Sequence, residues 1–254
     1  MSAAESVVEV IRALGGVAIA DGADVSSPEQ VAAMVDRAIG EWGRVDLLVA
    51  NAGILRDKSF AKMELADFQR VLDVHLTGTF LCCKAVWEVM RARNYGRIVL
   101  TSSGSGLYGN FGQANYGAAK AGMLGLMNVL SEEGRKSNIR VNLIAPSAAT
   151  RMTEELLPPQ LLEVLKPEAI TPAVLFLLGE DAPTRTMMGV GGGTFAVIKV
   201  MESAGVNFAE ADWSPETVAA HFAAISDMTG ATALEGASQQ TQKYLAQVAA
   251  RAKA

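Results

Sequence analysis

The stretch that decides the fold reads Arg97-Ile-Val-Leu-Thr101-Ser102-Ser103 and then, after a loop rich in glycine and serine, Gln113-Ala-Asn-Tyr116-Gly-Ala-Ala-Lys120. The first part is an apolar run typical of a buried strand, and the second begins a helix predicted over 114–135. Tyr116 and Lys120 are four positions apart, so they lie on one face of that helix, one turn from each other. The sequence therefore predicts a strand that ends in a hydroxyl group and a helix that carries a phenol and an ammonium group.

These three side chains together suggest proton transfer. A protonated ammonium group favours the phenolate, so we expect Lys120 to lower the pKa of Tyr116 from its ordinary value of about 10. A tyrosine tuned in this way exchanges a proton with an alcohol or carbonyl oxygen near neutral pH. The hydroxyl of Ser103 can donate a hydrogen bond to the same oxygen. The sequence thus predicts a site that oxidises an alcohol or reduces a ketone, provided that a further group exchanges the hydride.

Working outward from this stretch, strands alternate with helices along most of the chain. Strands are predicted at Gly16–Ala20, Val45–Ala50, Arg97–Thr101 and Ile139–Ala145. Helices are predicted at 3–13, 28–42, 65–94 and 114–135. This alternation indicates a parallel sheet with right-handed crossovers.

The last quarter of the chain has a different pattern. Three glycines, 191–193, precede a predicted final strand. A tight turn before a strand is favoured over a phosphate loop, because no helix follows at once. Ser214-Pro215 is typical of a helix start, and a further helix is predicted over 239–253.

Polar or special residues follow three successive strands at their carboxyl ends. These residues are Asn51, Ser103 and Pro146. Ligands of parallel sheets lie beyond the carboxyl ends of the strands. We therefore expect the three positions to converge on one binding site.

Composition narrows the classes of function. The chain has 254 residues, half of them hydrophobic, and a net charge of −5, which favours one globular domain and argues against nucleic-acid binding. Its two cysteines, Cys82 and Cys83, are adjacent and do not favour a disulfide, so a reducing compartment, the cytoplasm, is expected. No apolar run predicts a membrane span, and the first residues lack the pattern of a signal peptide. No group of histidine, cysteine and carboxylate side chains has metal-ligand spacing.

The ordered set of motifs resembles the short-chain dehydrogenase/reductase family. The matching pieces are Asp24-Val25, Asn51-Ala52-Gly53, Ser103, Tyr116-x-x-x-Lys120 and Pro146-Ser-Ala-Ala-Thr150. A second set of matches is similar to the (3R)-hydroxyacyl-CoA dehydrogenase domain of the type 2 multifunctional enzymes; it comprises Gly53–Asp57, Tyr108–Tyr116, Glu133–Asn138 and the tail around Trp213.

The resemblance implies an α/β fold, a Rossmann-like three-layer αβα arrangement with a mostly parallel sheet. Residues 1–188 would form the truncated Rossmann-like part, and residues 189–254 the final strand and a helical C-terminal extension of the same domain. The helices at 65–94 and 114–135 correspond to a dimer interface in the family, so the resemblance implies a homodimer or homotetramer. The activity implied is oxidation of a 3-hydroxyacyl-CoA, or of a similar secondary alcohol of fatty acid metabolism, with NAD as the cofactor. NADP stays open as the alternative cofactor.

The roles of individual residues also come from the resemblance. Tyr116 is implied as the general acid/base, Lys120 as the group that lowers its pKa and binds the nicotinamide ribose, and Ser103 as the group that polarises the carbonyl. The remaining implied cofactor contacts are the backbone of Asn51, Ala52 and Gly53 beside the cofactor, Asp24 and Val25 at the adenine, and Pro146 and Thr150 at the nicotinamide. The loop after Thr150 is implied to cover the substrate.

The chain departs from the family pattern in two places. His75 stands where the family usually has an asparagine that helps to hold a water for proton relay. The type 2 enzymes share the histidine, and an ordinary helical histidine with a satisfied hydrogen bond is the favoured interpretation. The second departure is the opening strand, glycine-rich turn, helix and second strand, which are missing before the predicted strand Gly16–Ala20. The sheet is therefore expected to have a gap, or Gly16–Ala20 to move across and pair with the next strand.

Three explanations stay open at this point. The chain is a dehydrogenase, or a non-catalytic remnant that serves as an oligomer subunit or binding partner, or the product of a start codon placed too late. The presence of Ser103, Tyr116 and Lys120 favours the dehydrogenase, whereas the missing pyrophosphate turn favours the non-catalytic remnant.

The missing turn generates the first prediction, which concerns cofactor affinity. Because the turn supplies the backbone N–H groups that bind pyrophosphate, the 254-residue chain is expected to bind NADH weakly, to have low stability, or both. Titration of NADH fluorescence measures this affinity directly. Tight binding, with a dissociation constant of about 1 μM, would contradict the expectation.

Overall fold

A mostly parallel five-stranded sheet forms the centre of the fold. The structure is a computed structural model that describes residues 2–150 and 158–253 of the chain. The strands are β1 (Leu47–Ala50), β2 (Gly96–Thr101), β3 (Ile139–Pro146), β4 (Met187–Gly191) and β5 (Thr194–Ile198). They lie in the order β1-β2-β3-β4-β5, with β1/β2, β2/β3 and β3/β4 paired in parallel.

Helices connect the strands and extend the chain beyond them. In the first part they are α1 (Ala3–Ala13), α2 (Pro28–Trp42), α3 (Leu65–Leu72), α4 (Gly78–Arg93), α5 (Gly104–Tyr108) and α6 (Ala114–Gly134). In the second part they are α7 (Pro159–Val164), α8 (Thr171–Leu178), α9 (Pro215–Ala220), α10 (Phe222–Ile225) and α11 (Ala237–Arg251). The chain divides into two compact units, residues 1–197 and 198–254. In the described ranges, no helix is long and apolar enough to cross a bilayer.

The sheet is covered by helices on both faces. On one face α8 packs on the two central strands through Ala173 and Leu177, which contact Val99 and Ile144 in one buried cluster. Helix α4 contacts β1 and β2, and α6 contacts β2 and β3. This arrangement confirms the α/β prediction of a mostly parallel, Rossmann-like sheet between helical layers.

Two helix starts follow the capping chemistry expected from the sequence. The side chain of Ser27 accepts a hydrogen bond from the Gln30 N–H, and Pro28 occupies the first helical turn of α2. In the second unit, the Ser214 side chain accepts from the Thr217 N–H at the start of α9 in the same way. Both predicted starts are confirmed.

The predicted strand Gly16–Ala20 is wrong, because this segment has no regular structure and pairs with no described strand. Arginine side chains, instead of a neighbouring strand, bind its carbonyl oxygens: Arg12 donates to the oxygen of Ala18 (3.0 Å), and Arg37 donates to that of Ala20 (2.9 Å). An apolar run forms a strand only when a second strand bonds its backbone.

Strand β1 lies at the edge of the described sheet, and no described strand pairs with its outer side. Leu47 and Val49 are 49% and 43% exposed, although both are apolar. The described sheet therefore ends at β1, and Gly16–Ala20 neither forms a strand beyond a gap nor moves across to pair with β1.

Two other features differ from the sequence-based predictions. The predicted helix 65–94 is interrupted by a π-helical turn, Asp73–Thr77, between α3 and α4. Strand β4 was not predicted; it precedes the glycines and joins β5 through Gly192 and Gly193, both at positive φ (54° and 79°). Two such residues form a tight hairpin turn, so the turn interpretation of the glycines is confirmed.

The buried Arg97 side chain joins the amino end of β2 to neighbouring segments through hydrogen bonds. Arg97 is only 1% exposed, and its guanidinium donates to backbone oxygens at 2.8–3.1 Å. These oxygens belong to Gly96, Asn138, Gly179 and Glu180. The same group lies 4.3 Å from the centre of the Tyr95 ring. Arg97 therefore links β2 to the turn before β3 and to the segment after α8.

Replacement of Arg97 should destabilise the fold. Arg97→Met removes four hydrogen bonds of a buried side chain to backbone oxygens, and we expect the free energy of unfolding to fall by about 3 kcal/mol. Urea unfolding followed by circular dichroism measures the loss.

Arg91→Met is the matched control, since Arg91 pairs with Glu88 on the surface of α4. An exposed pair of this kind contributes less than about 1 kcal/mol. Equal losses for the two variants would contradict the role assigned to Arg97.

Candidate active site

Two reciprocal hydrogen bonds join the carboxyl end of β2 to the middle of α6. The Lys120 ammonium Nζ donates to the Thr101 carbonyl oxygen (2.7 Å), and the Ser102 hydroxyl donates to the Lys120 carbonyl oxygen (2.8 Å). Gly106 in α5 permits the close approach, because a Cβ there would lie 2.6 Å from the Cβ of Lys120. The end of the strand and the helix that carries Tyr116 are thus held in one register.

The Lys120 side chain is buried, and only 3% of the residue is exposed. Burial disfavours the charged form and lowers the pKa of Lys120 to about 8. The side chain therefore still carries its charge at neutral pH, although it is buried beside the carboxyl end of β2.

Ser103 and Tyr116 come together as the sequence predicts. Burial raises the pKa of Tyr116, a hydrogen bond with the Ser103 side chain lowers it, and the charge of Asp57 raises it. The net direction is upward. The expectation that Lys120 lowers the pKa of Tyr116 is therefore wrong for this structure.

The geometry of Lys120 explains this difference. Its Nζ lies 5.6 Å from the centre of the Tyr116 ring and donates a hydrogen bond to the Thr101 carbonyl oxygen. Four-residue spacing places two side chains on one face of a helix, but it does not direct the ammonium group at the phenol oxygen. Burial then dominates the pKa of the phenol.

A polar network that the sequence reasoning missed supports the first turn of α6. Gln113 donates to the Asp57 carboxylate (2.7 Å), and Asn115, which is fully buried, donates to the Arg56 carbonyl oxygen (3.0 Å). The amide oxygen of Asn115 accepts from the N–H of Tyr116 (2.8 Å). The signal was present in the sequence, since Gln113 and Asn115 flank the predicted start of a helix, where such side chains bind backbone groups.

A cleft opens at the carboxyl ends of the first three strands. Its volume is about 270 Å³. The sheet contributes Val49, Asn51, Thr101, Ile144 and Pro146, and the opposite wall is formed by Ile170, Thr171, Val174 and Leu175. Asn51 and Pro146 thus lie together as predicted, and Thr101 connects the cleft to the site of Lys120.

The cleft suits one end of a nicotinamide cofactor. Aliphatic side chains of Val49, Ile144 and Val174 line the cleft, and Asn51 and Thr101 supply polar groups. Such a lining, mostly apolar with a few placed polar groups, is typical of a small-molecule site. The residues present therefore fit the nicotinamide end.

The other predicted cofactor residues lie in different environments. The Asp24 carboxylate accepts from the side chain and N–H of Ser26 and from Arg70 (3.0 Å), and these bonds lower the pKa of Asp24 to about 2. Val25 lies against Gly78 at the start of α4. Ala52 is exposed, as is Thr150. The loop expected to cover the substrate continues into residues 151–157, outside the described residues.

Gly53 has a neighbour that the sequence reasoning did not connect with it. A Cβ at this position would lie 2.3 Å from Cε1 of His75. Gly53 therefore packs closely against His75, and the contact of Gly53 with a cofactor stays a prediction.

The fold and the site together define an oxidoreductase of the short-chain dehydrogenase class. Residues 1–160 match the family described as short chain dehydrogenase, and the chain belongs to this family. Members of the family use NAD or NADP.

Individual relatives refine this placement. The chain is 43% identical over 247 residues to peroxisomal multifunctional enzyme A of Dictyostelium discoideum, covering 97% of this chain and 55% of the relative. It is 44% identical over 229 residues to a short-chain type dehydrogenase/reductase of Mycobacterium tuberculosis, covering 90% of this chain and 80% of the relative.

Among solved structures, the full-length peroxisomal multifunctional enzyme type 2 of Drosophila melanogaster superposes with a TM-score of 0.81 at 35% identity. The match covers 97% of this chain and 43% of that chain. The chain thus spans about half the length of these multifunctional relatives. The predicted similarity to the type 2 multifunctional enzymes is confirmed.

Removal of the Asp57 charge should shift the ionisation of Tyr116. Because this charge raises the pKa of Tyr116 and the Ser103 hydrogen bond lowers it, Asp57→Asn should move the pKa down and Ser103→Ala should move it up. Ultraviolet titration of phenolate absorbance, with the Tyr116→Phe chain as a blank, measures both shifts without any substrate.

Asp46→Asn is the control, because Asp46 pairs with Arg44 before β1, at the opposite end of the sheet. It should leave the Tyr116 titration unchanged. Shifts of the same sign in Asp57→Asn and Ser103→Ala would contradict the assignment.

Proposed function

We propose that this chain interconverts a secondary alcohol and a ketone, with Tyr116 as general acid/base. The single observation that carries the proposal is the meeting of Ser103 and Tyr116, with Lys120 bonded to Thr101, beside a cleft at the ends of three parallel strands. This is the arrangement needed to bind one substrate oxygen and exchange its proton.

The chain's own residues supply the proton chemistry. In the oxidation direction, the phenolate oxygen of Tyr116 takes the proton of the substrate hydroxyl as the C=O double bond forms. The Ser103 hydroxyl donates a hydrogen bond to the same substrate oxygen and orients it. The buried Lys120 ammonium, charged at neutral pH, is the group that we propose for a ribose hydroxyl. A nicotinamide cofactor held beside Asn51 and Pro146 would supply the acceptor for the hydride that leaves the carbon bearing the substrate oxygen.

For the cofactor we propose NAD, with Asn51 and Pro146 bordering the nicotinamide and the backbone of Ala52 and Gly53 alongside it. Lining of the cleft by Asn51 and Pro146 supports this placement. Roles of Asp24 and Val25 at the adenine and of Thr150 at the nicotinamide belong to the same proposal and rest on the resemblance.

The proposed substrate is a 3-hydroxyacyl-CoA. Similarity to multifunctional enzymes supports this class. So do two exposed cations, Arg56 and Lys58, in the loop that packs on the first turn of α6. Lys58 pairs with Asp67 (2.7 Å), so the Arg56 guanidinium is the group that we propose for a coenzyme A phosphate.

We further propose a homo-oligomer in a reducing compartment, the cytoplasm. Apolar side chains on two long helices support the assembly, since Phe80 of α4 and Val129 of α6 are 50% and 55% exposed. Cys82 and Cys83 are both free thiols and buried, which is consistent with a reducing environment.

Loss of the phenol oxygen should abolish most of the activity. Tyr116→Phe keeps the ring and removes the titrating group, so NAD reduction with a 3-hydroxyacyl-CoA should fall by about 10²- to 10⁴-fold. Absorbance of NADH measures the rate, and a parallel assay with NADP tests the choice of cofactor.

Tyr95→Phe is the matched control, because its ring can keep the contact with Arg97 at the other end of β2. Its rate should equal that of the unmodified chain. Activity that Tyr116→Phe leaves unchanged would remove Tyr116 from the mechanism. A folded chain with no activity on any alcohol would favour the non-catalytic alternative.

A further inference from the structure

Two phenylalanine side chains in the first unit lie largely in solvent. Phe60 is 83% exposed and Phe111 is 89% exposed. A single exposed apolar side chain is ordinary on a protein surface, whereas large apolar side chains grouped on adjoining segments mark a binding site. The meaning of this exposure therefore depends on whether the two segments adjoin.

The segments that carry Phe60 and Phe111 do adjoin. The N–H of Lys58 donates to the carbonyl oxygen of Gly112 (2.9 Å). A Cβ at Gly112 would lie 4.0 Å from the backbone nitrogen of Ser59. Phe60 directly follows Ser59 and Phe111 directly precedes Gly112, so the two phenylalanines occupy neighbouring positions on the surface. We call these two residues the aromatic patch.

Buried amide side chains hold the two segments of the aromatic patch in place. Gln113 donates to the Asp57 carboxylate (2.7 Å), and Asn115 donates to the carbonyl oxygen of Arg56 (3.0 Å). Both amides are buried, and Asn115 also accepts from the N–H of Tyr116 (2.8 Å). The patch is therefore fixed relative to the helix that carries the phenol, and a ligand does not have to order it first.

Two cations lie on the same stretch of chain as Phe60. Arg56 and Lys62 are both exposed, and neither has an ion-pair partner among the residues that the structure describes. Of the three carboxylates in residues 56–67, two are engaged by neighbours and the third is exposed; they are Asp57, bound by Gln113, Asp67, paired with Lys58, and Glu64. The two unpaired cations are suited to phosphate groups, which accept charge-assisted hydrogen bonds.

Aromatic rings beside unpaired cations suit a nucleotide. A purine base stacks on an aromatic side chain, and its phosphates bind arginine and lysine. An acyl chain would use the rings but not the cations. A second copy of the chain, packed about a two-fold axis, would bring the same unpaired cations to this face, which is unfavourable. Coenzyme A combines a purine base, a diphosphate and a 3′-phosphate in one molecule, and so matches both parts of the surface.

We propose that Phe60 and Phe111 bind the adenine ring of a coenzyme A ester, with its phosphates on Arg56 and Lys62. This inference rests on the proposed function, which names a 3-hydroxyacyl-CoA as substrate, and adds the subsite for the nucleotide end of that molecule. Because Asn115 bonds both the backbone of Arg56 and that of Tyr116, the nucleotide subsite and the phenol keep a fixed separation.

Binding of adenosine 3′,5′-bisphosphate tests the subsite without any catalysis. This probe is the nucleotide end of coenzyme A without the thioester arm, and isothermal titration calorimetry on the 254-residue chain measures its affinity. Phe111→Ala and Phe60→Ala should each weaken binding about tenfold, the loss expected for a stacked base. Arg56→Gln should weaken it by a similar factor through the lost charge-assisted hydrogen bond.

Phe222→Ala is the matched control, since Phe222 is 62% exposed but lies in the second unit. It should bind the bisphosphate like the unmodified chain, and Phe111→Ala should keep the NADH affinity of that chain. The proposal is overturned when the unmodified chain fails to bind the bisphosphate at about 1 mM, or when both patch variants bind it undiminished.

Kinetics with two thioesters separate the nucleotide end from the acyl end. Phe111→Ala should raise KM about tenfold for a 3-hydroxyacyl-CoA and leave KM unchanged for the corresponding N-acetylcysteamine thioester, which has no nucleotide. An equal rise for both esters overturns the proposal, because the patch then contacts the acyl part. Sedimentation velocity supplies a further check: a lower association state in Phe111→Ala overturns it in favour of a contact between copies.

Failure of the proposed function gives a different result from failure of this inference. In that case the unmodified chain oxidises neither thioester, while the bisphosphate still binds and its affinity still depends on Phe111. Catalysis of both esters, with bisphosphate binding that ignores Phe60 and Phe111, is the opposite outcome: it removes the nucleotide subsite and leaves the oxidoreductase.

Discussion

The active-site geometry depends on the pair of hydrogen bonds between Lys120 and the end of β2. The ammonium group binds the Thr101 carbonyl, and the Lys120 carbonyl accepts from the Ser102 hydroxyl. Because these bonds run in opposite directions between strand and helix, they fix both the distance and the register of the two elements. Ser103 follows directly in the chain and Tyr116 lies one helical turn before Lys120, so the same bonds bring hydroxyl and phenol together.

Much of this arrangement could be predicted from the sequence, because it follows from local patterns. Ser27-Pro28 and Ser214-Pro215 are capping signals whose effect depends on the next few residues only. Asn51 and Pro146 converge because parallel strands end at one edge, whatever the packing. Alternation of strands and helices was therefore enough to place the cleft.

The features that the sequence did not predict depend on contacts between residues that are far apart in the chain, and a local pattern does not contain these contacts. Gly16–Ala20 has the composition of a strand, but two of its carbonyl oxygens accept hydrogen bonds from arginine side chains and none pairs with a second strand. The contact of His75 with Ile54 requires a π-helical turn, and no period in the sequence predicts one. The direction of the pKa shift of Tyr116 required the depth of burial, which the spacing to Lys120 does not give.

The upward shift of the Tyr116 pKa affects how the rate in each direction depends on pH. A phenol that holds its proton more firmly is in its acid form at neutral pH, and this form protonates the oxygen of a ketone during reduction. The base form, which oxidation of an alcohol needs, becomes populated only as the pH rises. A cation placed closer to the phenol oxygen would reverse this balance, but Lys120 directs its ammonium at Thr101 and lowers the pKa of His75 instead. Burial and the charge of Lys120 together lower the pKa of His75, whereas burial together with Asp57 raises the pKa of Tyr116.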